Sequence, residues 1–418
     1  MVDHRTTDPL FEDLLSEGDR DFRAEVRSWL ERNLAKLAGV ELPSSPGGDL
    51  AEDQILREWQ ADLASGGFVG ISWPVEYGGR GATLLQEVVF ERELAAAHAP
   101  PILNVVGTGI VGPSLIAFGT DDQRRRLLHP ILDASEVWCQ GFSEPDAGSD
   151  LASLTTRATK TDGGWIINGV KVWTSFAHLA RRCILLARTG PPGGRQAGLT
   201  VFLMDMDQDG VEVVPIPAMD GRRKLNYLRL DGAFVSDEDV LGAVDDGWSM
   251  ALKVLAQERM SVGRLVFELP GQLERLRNLA HETIEAVSGG AAYVASVRDD
   301  AESRLLDFDG EVQAALLQYY RILEEQSRTG SAGPAGSAAK LVCSELSRRM
   351  YAYAVELMTL AGQLAQPCHG VRDRRHQEYW TSFSKTLLGG TSEIQRNIVA
   401  ERILGLPRDV RPMSRERN

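Results

Sequence analysis

The stretch Thr155-Thr156-Arg157-Ala158-Thr159-Lys160, then Asp162-Gly163-Gly164, then Trp165-Ile166-Ile167-Asn168-Gly169-Val170-Lys171-Val172-Trp173 decides how the chain is read. Two β-prone runs flank an Asp-Gly pair, and that spacing predicts a hairpin with a glycine turn. Short β-rich runs follow at Ile184 to Ala187, Leu199 to Met204, Val211 to Ile216 and Tyr227 to Leu230. Turn-rich pieces such as Gly190-Pro191-Pro192-Gly193-Gly194 separate them. Strands this closely spaced predict a small antiparallel barrel or sandwich.

On either side the period is helical. From about Asp19 to Asp133, Ala24, Val26, Leu30 and Leu34 recur near helical spacing. Thr83 is placed to cap a helix through Ala97, and Thr120 with Asp121 and Asp122 opens another. Between them, Gly70-Ile71-Ser72-Trp73-Pro74-Val75-Glu76-Tyr77-Gly78-Gly79-Arg80-Gly81 reads as a loop on its Pro and Gly content. Helical periodicity returns at Gly247 and runs to about Leu404, broken around Ser288-Gly289-Gly290 and Thr329 to Pro334. Pro334 is suited to start the next helix. The expected order is therefore an N-terminal helical domain (1–136), a middle β-domain (137–243) and a C-terminal helical bundle (244–418), an α+β chain.

Composition sets outer limits. The chain has 418 residues with net charge −14, which argues against nucleic acid as the main partner. Cys139, Cys183, Cys343 and Cys368 form no C-x-x-C pair, so neither a zinc site nor a disulfide scaffold is expected. There is no run of about 18 apolar residues, so no membrane span is expected. Met1-Val2-Asp3-His4-Arg5 lacks a basic-then-apolar signal, so the expected compartment is the cytoplasm.

Four segments carry candidate chemistry. Gly141-Phe142-Ser143-Glu144-Pro145-Asp146-Ala147-Gly148-Ser149-Asp150 is rich in small and turn-forming residues just after a β-run. Its backbone N–H groups are able to approach a ring closely; a tight loop capping a barrel is the alternative. Trp173 and Ser175 stand two apart, so in a strand they face one side; a core Trp is the alternative. Val254, Leu255, Val262, Leu265 and Val266 form an apolar stripe in which Glu258 lies. A carboxylate there is either functional, with a raised pKa suited to a general base, or structural and bonded to Arg259 or another arginine. Gly390-Thr391-Ser392-Glu393 opens the last helix, with Thr391 or Ser392 as N-cap and free N–H groups facing an electron-rich ligand.

Taken together, Gly70 to Gly81, Gly141 to Asp150, Trp165 to Ser175 and Leu388-Gly389-Gly390-Thr391-Ser392-Glu393-Ile394-Gln395-Arg396 resemble the acyl-CoA dehydrogenase family. The resemblance runs from about Asp19 to Pro407. It implies that family's fold, with a C-terminal four-helix bundle, and FAD as cofactor. It places Gln140, Phe142, Ser143, Ser149, Trp173, Thr174, Ser175, Gly362, Gly390, Thr391 and Glu393 at the flavin. It places Ser149, Arg259, Gly389 and Gly390 on the substrate side, with the thioester carbonyl held at the Gly389 N–H. The implied partners are an acyl-CoA substrate and an electron-transfer flavoprotein.

Two departures shape the expectation. Many members carry the catalytic glutamate where this chain has Gly389; a minority branch, including isovaleryl-CoA and long-chain dehydrogenases, places it on the helix and follows it with arginine, as in Glu258-Arg259. The family's Arg-x-x-Phe-Gly, which reaches the FAD pyrophosphate of a neighbouring subunit, is missing between Arg275 and Arg304, and Met358 replaces a family glutamine before Gly362. Some actinobacterial sterol-degrading members also lack that motif and pair with a second subunit. The assembly is thus expected to be a homo-oligomer or a heteromer with a second family member. The rivals are a non-catalytic or half-site subunit, and a flavin monooxygenase on the same fold.

Overall fold

The computed structural model describes residues 9–40, 42–43, 46–47, 49–191, 194–219, 221–258, 262–286, 290–329, 333–360 and 374–408; side chains at 9–10, 253–258, 262–264, 327, 359–360, 374–375 and 377 lie outside that description. The chain forms two compact units, 1–261 and 262–418.

The first unit begins with helices α1 (Pro9–Leu14), α2 (Glu17–Leu34), α3 (Leu50–Ser65), α4 (Leu84–Ala96), α5 (Gly112–Phe118) and α6 (Asp121–Leu132). Their starts follow from local chemistry. Ser16, Thr83 and Thr120 each close a capping box with the residue three positions on, and Asp49 caps α3 through the Ala51 and Glu52 N–H groups. Phe22, Val26 and Leu30 are the buried stripe of α2. The loop from Gly70 to Gly81 contains one short 3-10 turn, Val75–Tyr77. It doubles back so tightly that a Cβ on Gly79 would sit 2.1 Å from the Trp73 carbonyl oxygen.

Next come β1 (Trp138–Gly141), β2 (Arg157–Thr161), β3 (Gly164–Lys171), β4 (Arg182–Arg188), β5 (Leu199–Asp205), β6 (Val211–Ile216), β7 (Leu225–Ser236) and β8 (Val240–Leu241). Strands β2 and β3 form the expected hairpin, with Thr161 opposite Gly164 and Gly163 at φ +70° in the turn. The sheet order is β6-β7-β3-β2-β4-β5-β8, with β1 beside β4. It is mixed rather than wholly antiparallel, because β1 enters straight from α6 and lies parallel to β4, and β2 also meets β4 in parallel at Arg157 and Arg188. A bulge in β7 at Gly232 (φ +79°), whose N–H donates to Asn168 Oδ1, leaves the alternation of β3 intact. Trp165, Ile167 and Lys171 therefore point inward together. Trp165, Ile167, Phe202, Met204, Leu228 and Leu230 build the core under them.

A buried amide joins helices to sheet. Asn104 Oδ1 accepts from the N–H groups of Gly107 and Trp138, while Nδ2 donates to the carbonyls of Ile131 and Glu136. Gln60 backs it, accepting from Asn104 N–H and donating to Ile131 and Leu132. Helix α7 (Gly247–Glu258) packs on β5 and on the wide π turn Gly107–Val111.

In the second unit, α8 (Val262–Ala286), α9 (Ala291–Thr329), α10 (Ala335–Leu360) and α11 (Arg374–Lys385) pack on one another, and α12 (Ser392–Arg402) lies on α10. Pro334 immediately precedes α10 and accepts from the Ser337 N–H. Among the described residues, no helix is long and apolar enough to cross a membrane.

Replacing Asn104 with alanine takes the side-chain partner from the Gly107 and Trp138 N–H groups and from the Glu136 carbonyl at the entry to β1, while the Ile131 carbonyl keeps Gln60. Asn104→Ala should lower unfolding free energy by at least about 2 kcal/mol in urea titration. A change below about 0.5 kcal/mol would refute its role as the joint.

Candidate active site

The loop after β1 is held from inside by two buried cations. Lys171, fully buried at the end of β3, donates from Nζ to Glu144 Oε1 at 2.9 Å and to the Phe142 carbonyl at 3.1 Å. Glu144 also accepts from the Thr155 N–H (2.7 Å), the Thr155 hydroxyl (2.8 Å) and the Thr156 N–H (2.8 Å). Burial alone raises a carboxyl, but the Lys171 ammonium and hydrogen bonds from Thr156, Lys171 and Thr155 outweigh it and hold Glu144 at about 2. Burial pulls Lys171 below its ordinary value against the attraction of Glu144. The second cation, Arg188 of β4, donates to the carbonyls of Ala152, Leu154, Arg195 and Ala197. Both ends of the segment from Phe142 to Leu154 are thus pinned to the sheet.

This scaffold brings together two of the segments singled out in the sequence. The Val172 N–H donates to the Ser143 carbonyl at 2.9 Å, so Gln140, Phe142 and Ser143 lie beside the Trp173 turn. Ser149 sits in the exposed part of the loop, next to Asp150, which pairs with Arg195 at 2.7 Å. The expectation that Trp173 and Ser175 share a strand face is corrected: β3 ends at Lys171, and Trp173 has a left-handed backbone (φ +59°). The turn is held instead by Asn226, whose carbonyl accepts from the Thr174 N–H at 3.0 Å and whose Nδ2 donates to the Thr174 carbonyl at 3.0 Å. Thr174 is buried, Ser175 half-buried, and Trp173 is 55% exposed, so it is no core tryptophan.

The other candidate residues form a separate group. Gly389 (φ +63°) and Gly390 (φ +94°) make a left-handed turn into α12. Thr391 is the N-cap, its hydroxyl accepting from the Ile394 N–H at 3.3 Å. Ser392 donates to Glu345 at 2.7 Å. The exposed Glu393 carboxyl is lowered by its own backbone N–H and by the Thr391 hydroxyl. Glu258 is the last residue of α7, but its side chain lies outside the described residues, as do Arg259, Arg264 and Gly362. Arg277 is engaged by Asp309 at 2.6 Å, and Met358 is buried.

Within the first unit, a planar aromatic cofactor with a polar edge suits the residues around Trp173. Trp173 offers an exposed ring beside the backbone of Gln140 to Ser143. The buried Thr174 Oγ1 and Gln395 Oε1 have no partner among the described residues. A Cβ on Gly390 would meet Gln395 Nε2 at 2.7 Å, so the turn presents bare backbone.

Lys171, Asn226, Lys340 and Gln395 went unassigned in the sequence. Period two along β3 from Trp165 and Ile167 puts Lys171 on the inner face, a signal that was available. For Asn226 and Lys340 no comparable local signal exists.

Comparison with known proteins fixes the class. The acyl-CoA dehydrogenase N-terminal, middle and C-terminal domain models match residues 16–135, 139–233 and 245–404. The chain is 36% identical to acyl-CoA dehydrogenase IpdE1 of Mycobacterium tuberculosis, covering 94% of this chain and 98% of that protein. Among solved structures, the Tcur3481-Tcur3483 steroid ACAD matches with TM-score 0.79 at 26% identity, over 94% of this chain and 99% of that one. The ChsE4-ChsE5 complex from Mycobacterium tuberculosis matches with TM-score 0.73 at 26% identity, over 94% and 99%. The chain belongs to the acyl-CoA dehydrogenase family, whose members are flavoprotein oxidoreductases of lipid metabolism.

Removing the Glu144 charge leaves Lys171 buried and unpaired, so Glu144→Gln should destabilise by about 3 kcal/mol or more. The pH dependence has a defined sign. Glu144 sits at about 2 when folded, below its unfolded value near ~4.3, so its contribution is present above ~4.3 and lost as pH falls toward 2. The gap in urea midpoint between wild type and Glu144→Gln should narrow between pH 6 and pH 3; a gap that widens would contradict the pairing.

Proposed function

We propose that the protein is an FAD-dependent acyl-CoA dehydrogenase that desaturates an acyl-CoA thioester to the trans-2-enoyl-CoA. The reading is carried by one combination: Glu258, the last residue of α7, followed in sequence by Arg259, together with a side-chain-free, left-handed Gly389. With no carboxylate at 389, Glu258 is the general base, taking a proton from the thioester Cα. The Gly389 N–H donates to the thioester carbonyl oxygen and stabilises the negative charge that grows there. Ser149, Arg259 and Gly390 bind the substrate. Gln140, Phe142, Ser143, Ser149, Trp173, Thr174, Ser175, Gly362, Gly390, Thr391 and Glu393 hold the flavin. That cofactor supplies the two-electron acceptor for the hydrogen leaving Cβ, and an electron-transfer flavoprotein then takes the electrons. The likeness to a steroid ACAD supports a bulky, steroid-type acyl group.

A second reading concerns assembly: the chain works as one subunit of a heteromer. It is supported by the missing Arg-x-x-Phe-Gly, by the engagement of Arg277 with Asp309, and by the likeness to the ChsE4-ChsE5 complex. A pyrophosphate needs a cation, best an arginine, and a partner chain supplies it.

Anaerobic titration with fatty, branched and steroid-type acyl-CoAs should bleach the flavin absorbance. Glu258→Gln should keep the flavin and slow bleaching by about 10²-fold or more. Bleaching at near wild-type rate would remove Glu258 from the role of base. Expressed alone, the chain should carry well under one flavin per subunit, and co-expression with a partner bearing the arginine motif should restore it. One tightly bound FAD per subunit in a pure homo-oligomer would eliminate the heteromer.

A further inference from the structure

The turn at Gly389 and Gly390 has two left-handed glycines and no side chain of its own to fix it. Two buried donors fix it from behind. Lys340 of α10, only 4% exposed, donates from Nζ to the Gly390 carbonyl at 2.8 Å. Gln395 of α12, only 1% exposed, donates from Nε2 to the Gly389 carbonyl at 2.9 Å and to the Gly390 carbonyl at 3.3 Å.

In a trans peptide the N–H points opposite to the C=O of the same unit. Capture of the Gly389 carbonyl therefore turns the Gly390 N–H away from Gln395. Capture of the Gly390 carbonyl turns the Thr391 N–H away from Lys340. An ammonium makes the stronger, charge-assisted bond and polarises the peptide whose N–H it aims. A buried ammonium also demands such an acceptor, so the two groups hold each other.

We infer that Lys340, seconded by Gln395, is the positioning residue of the turn from Gly389 to Thr391: it fixes the two peptide planes that follow Gly389 and so restricts the turn whose Gly389 N–H meets the developing charge on substrate. Lys340 donates to the inner carbonyl of Gly390, so its effect on the turn passes through the backbone. The inference rests on the acyl-CoA dehydrogenase reading for its substrate, and on geometry alone for the clamp.

The test uses the full chain, with its partner if flavin loading requires one, and the variants Lys340→Met, Lys340→Gln and Lys340→Arg. Amide hydrogen exchange needs no substrate. Lys340→Met should raise exchange in the peptide spanning Leu387 to Gln395 by about 10-fold or more, the loss of one charged hydrogen bond, with α8 and α9 peptides unchanged. Lys340→Arg should restore protection. With an acyl-CoA that bleaches the wild type, kcat in Lys340→Met should fall by about 10-fold with KM within about 2-fold, and Lys340→Arg should recover most of it. If Lys340→Met fails to fold, the comparison of Lys340→Gln with Lys340→Arg carries both measurements, the neutral donor falling short of the cation. Unchanged exchange in the turn, or a rise in KM with kcat intact, overturns the inference. If no acyl-CoA bleaches the wild type, the substrate reading fails, and the exchange measurement alone decides for or against the clamp.

Discussion

The buried pair of Lys171 and Glu144 is the constraint on which the sheet's functional edge depends. Its Coulombic gain is largely offset by desolvation, so it is a weak source of net stability. Its value is geometric. Lys171 also takes the Phe142 carbonyl, and Glu144 takes three donors from Thr155 and Thr156. One salt bridge therefore registers the end of β3, the start of the loop after β1 and the approach to β2. The loop has few ladder partners of its own, and Arg188 completes the set by holding the Ala152 and Leu154 carbonyls at its far end, together with those of Arg195 and Ala197 between β4 and β5. With the polar groups satisfied inside, the outer backbone is left for a ligand.

The turn before α12 repeats that logic in the second unit. Lys340 and Gln395 capture carbonyls from the protein side, as Lys171 and Arg188 do under the sheet. In both places a cation is buried where it can be surrounded by carbonyls or a carboxylate, which is what makes the burial tolerable. In both places the group that is held is a backbone carbonyl, while the residue doing the holding is long and hidden.

Much of the fold was legible because it rests on local chemistry. The caps at Thr83 and Thr120, the Asp162-Gly163 turn and the start of α10 just after Pro334 come from interactions within a few residues, and each stands where the sequence put it. What failed was non-local. Strand period was carried past Lys171 to Trp173 and Ser175, but the left-handed backbone at Trp173 is imposed by Asn226, more than fifty residues downstream. The parallel placement of β1 depends on Asn104 receiving the Trp138 N–H, which no strand period encodes. The paired departures, Gly389 without a carboxylate and the sequence pair Glu258-Arg259, are visible as residue types, whereas Lys340 carries no mark until the fold sets it behind Gly390.

The glycine at 389 has a conformational consequence. A residue with a side chain pays about 1 kcal/mol or more to hold a left-handed backbone, and it needs surrounding contacts to stay there. Gly389 and Gly390 adopt φ +63° and +94° without that strain, but glycine also gives the turn many other conformations. Freedom of that kind is incompatible with a donor that must meet a charge developing on one atom, since the gain depends on the donor being fixed beforehand. The order that a side chain at 389 would have imposed has to come from elsewhere. In this chain it comes through the carbonyls, from Lys340 and Gln395, so the freedom of two glycines and the burial of those two donors are parts of one arrangement.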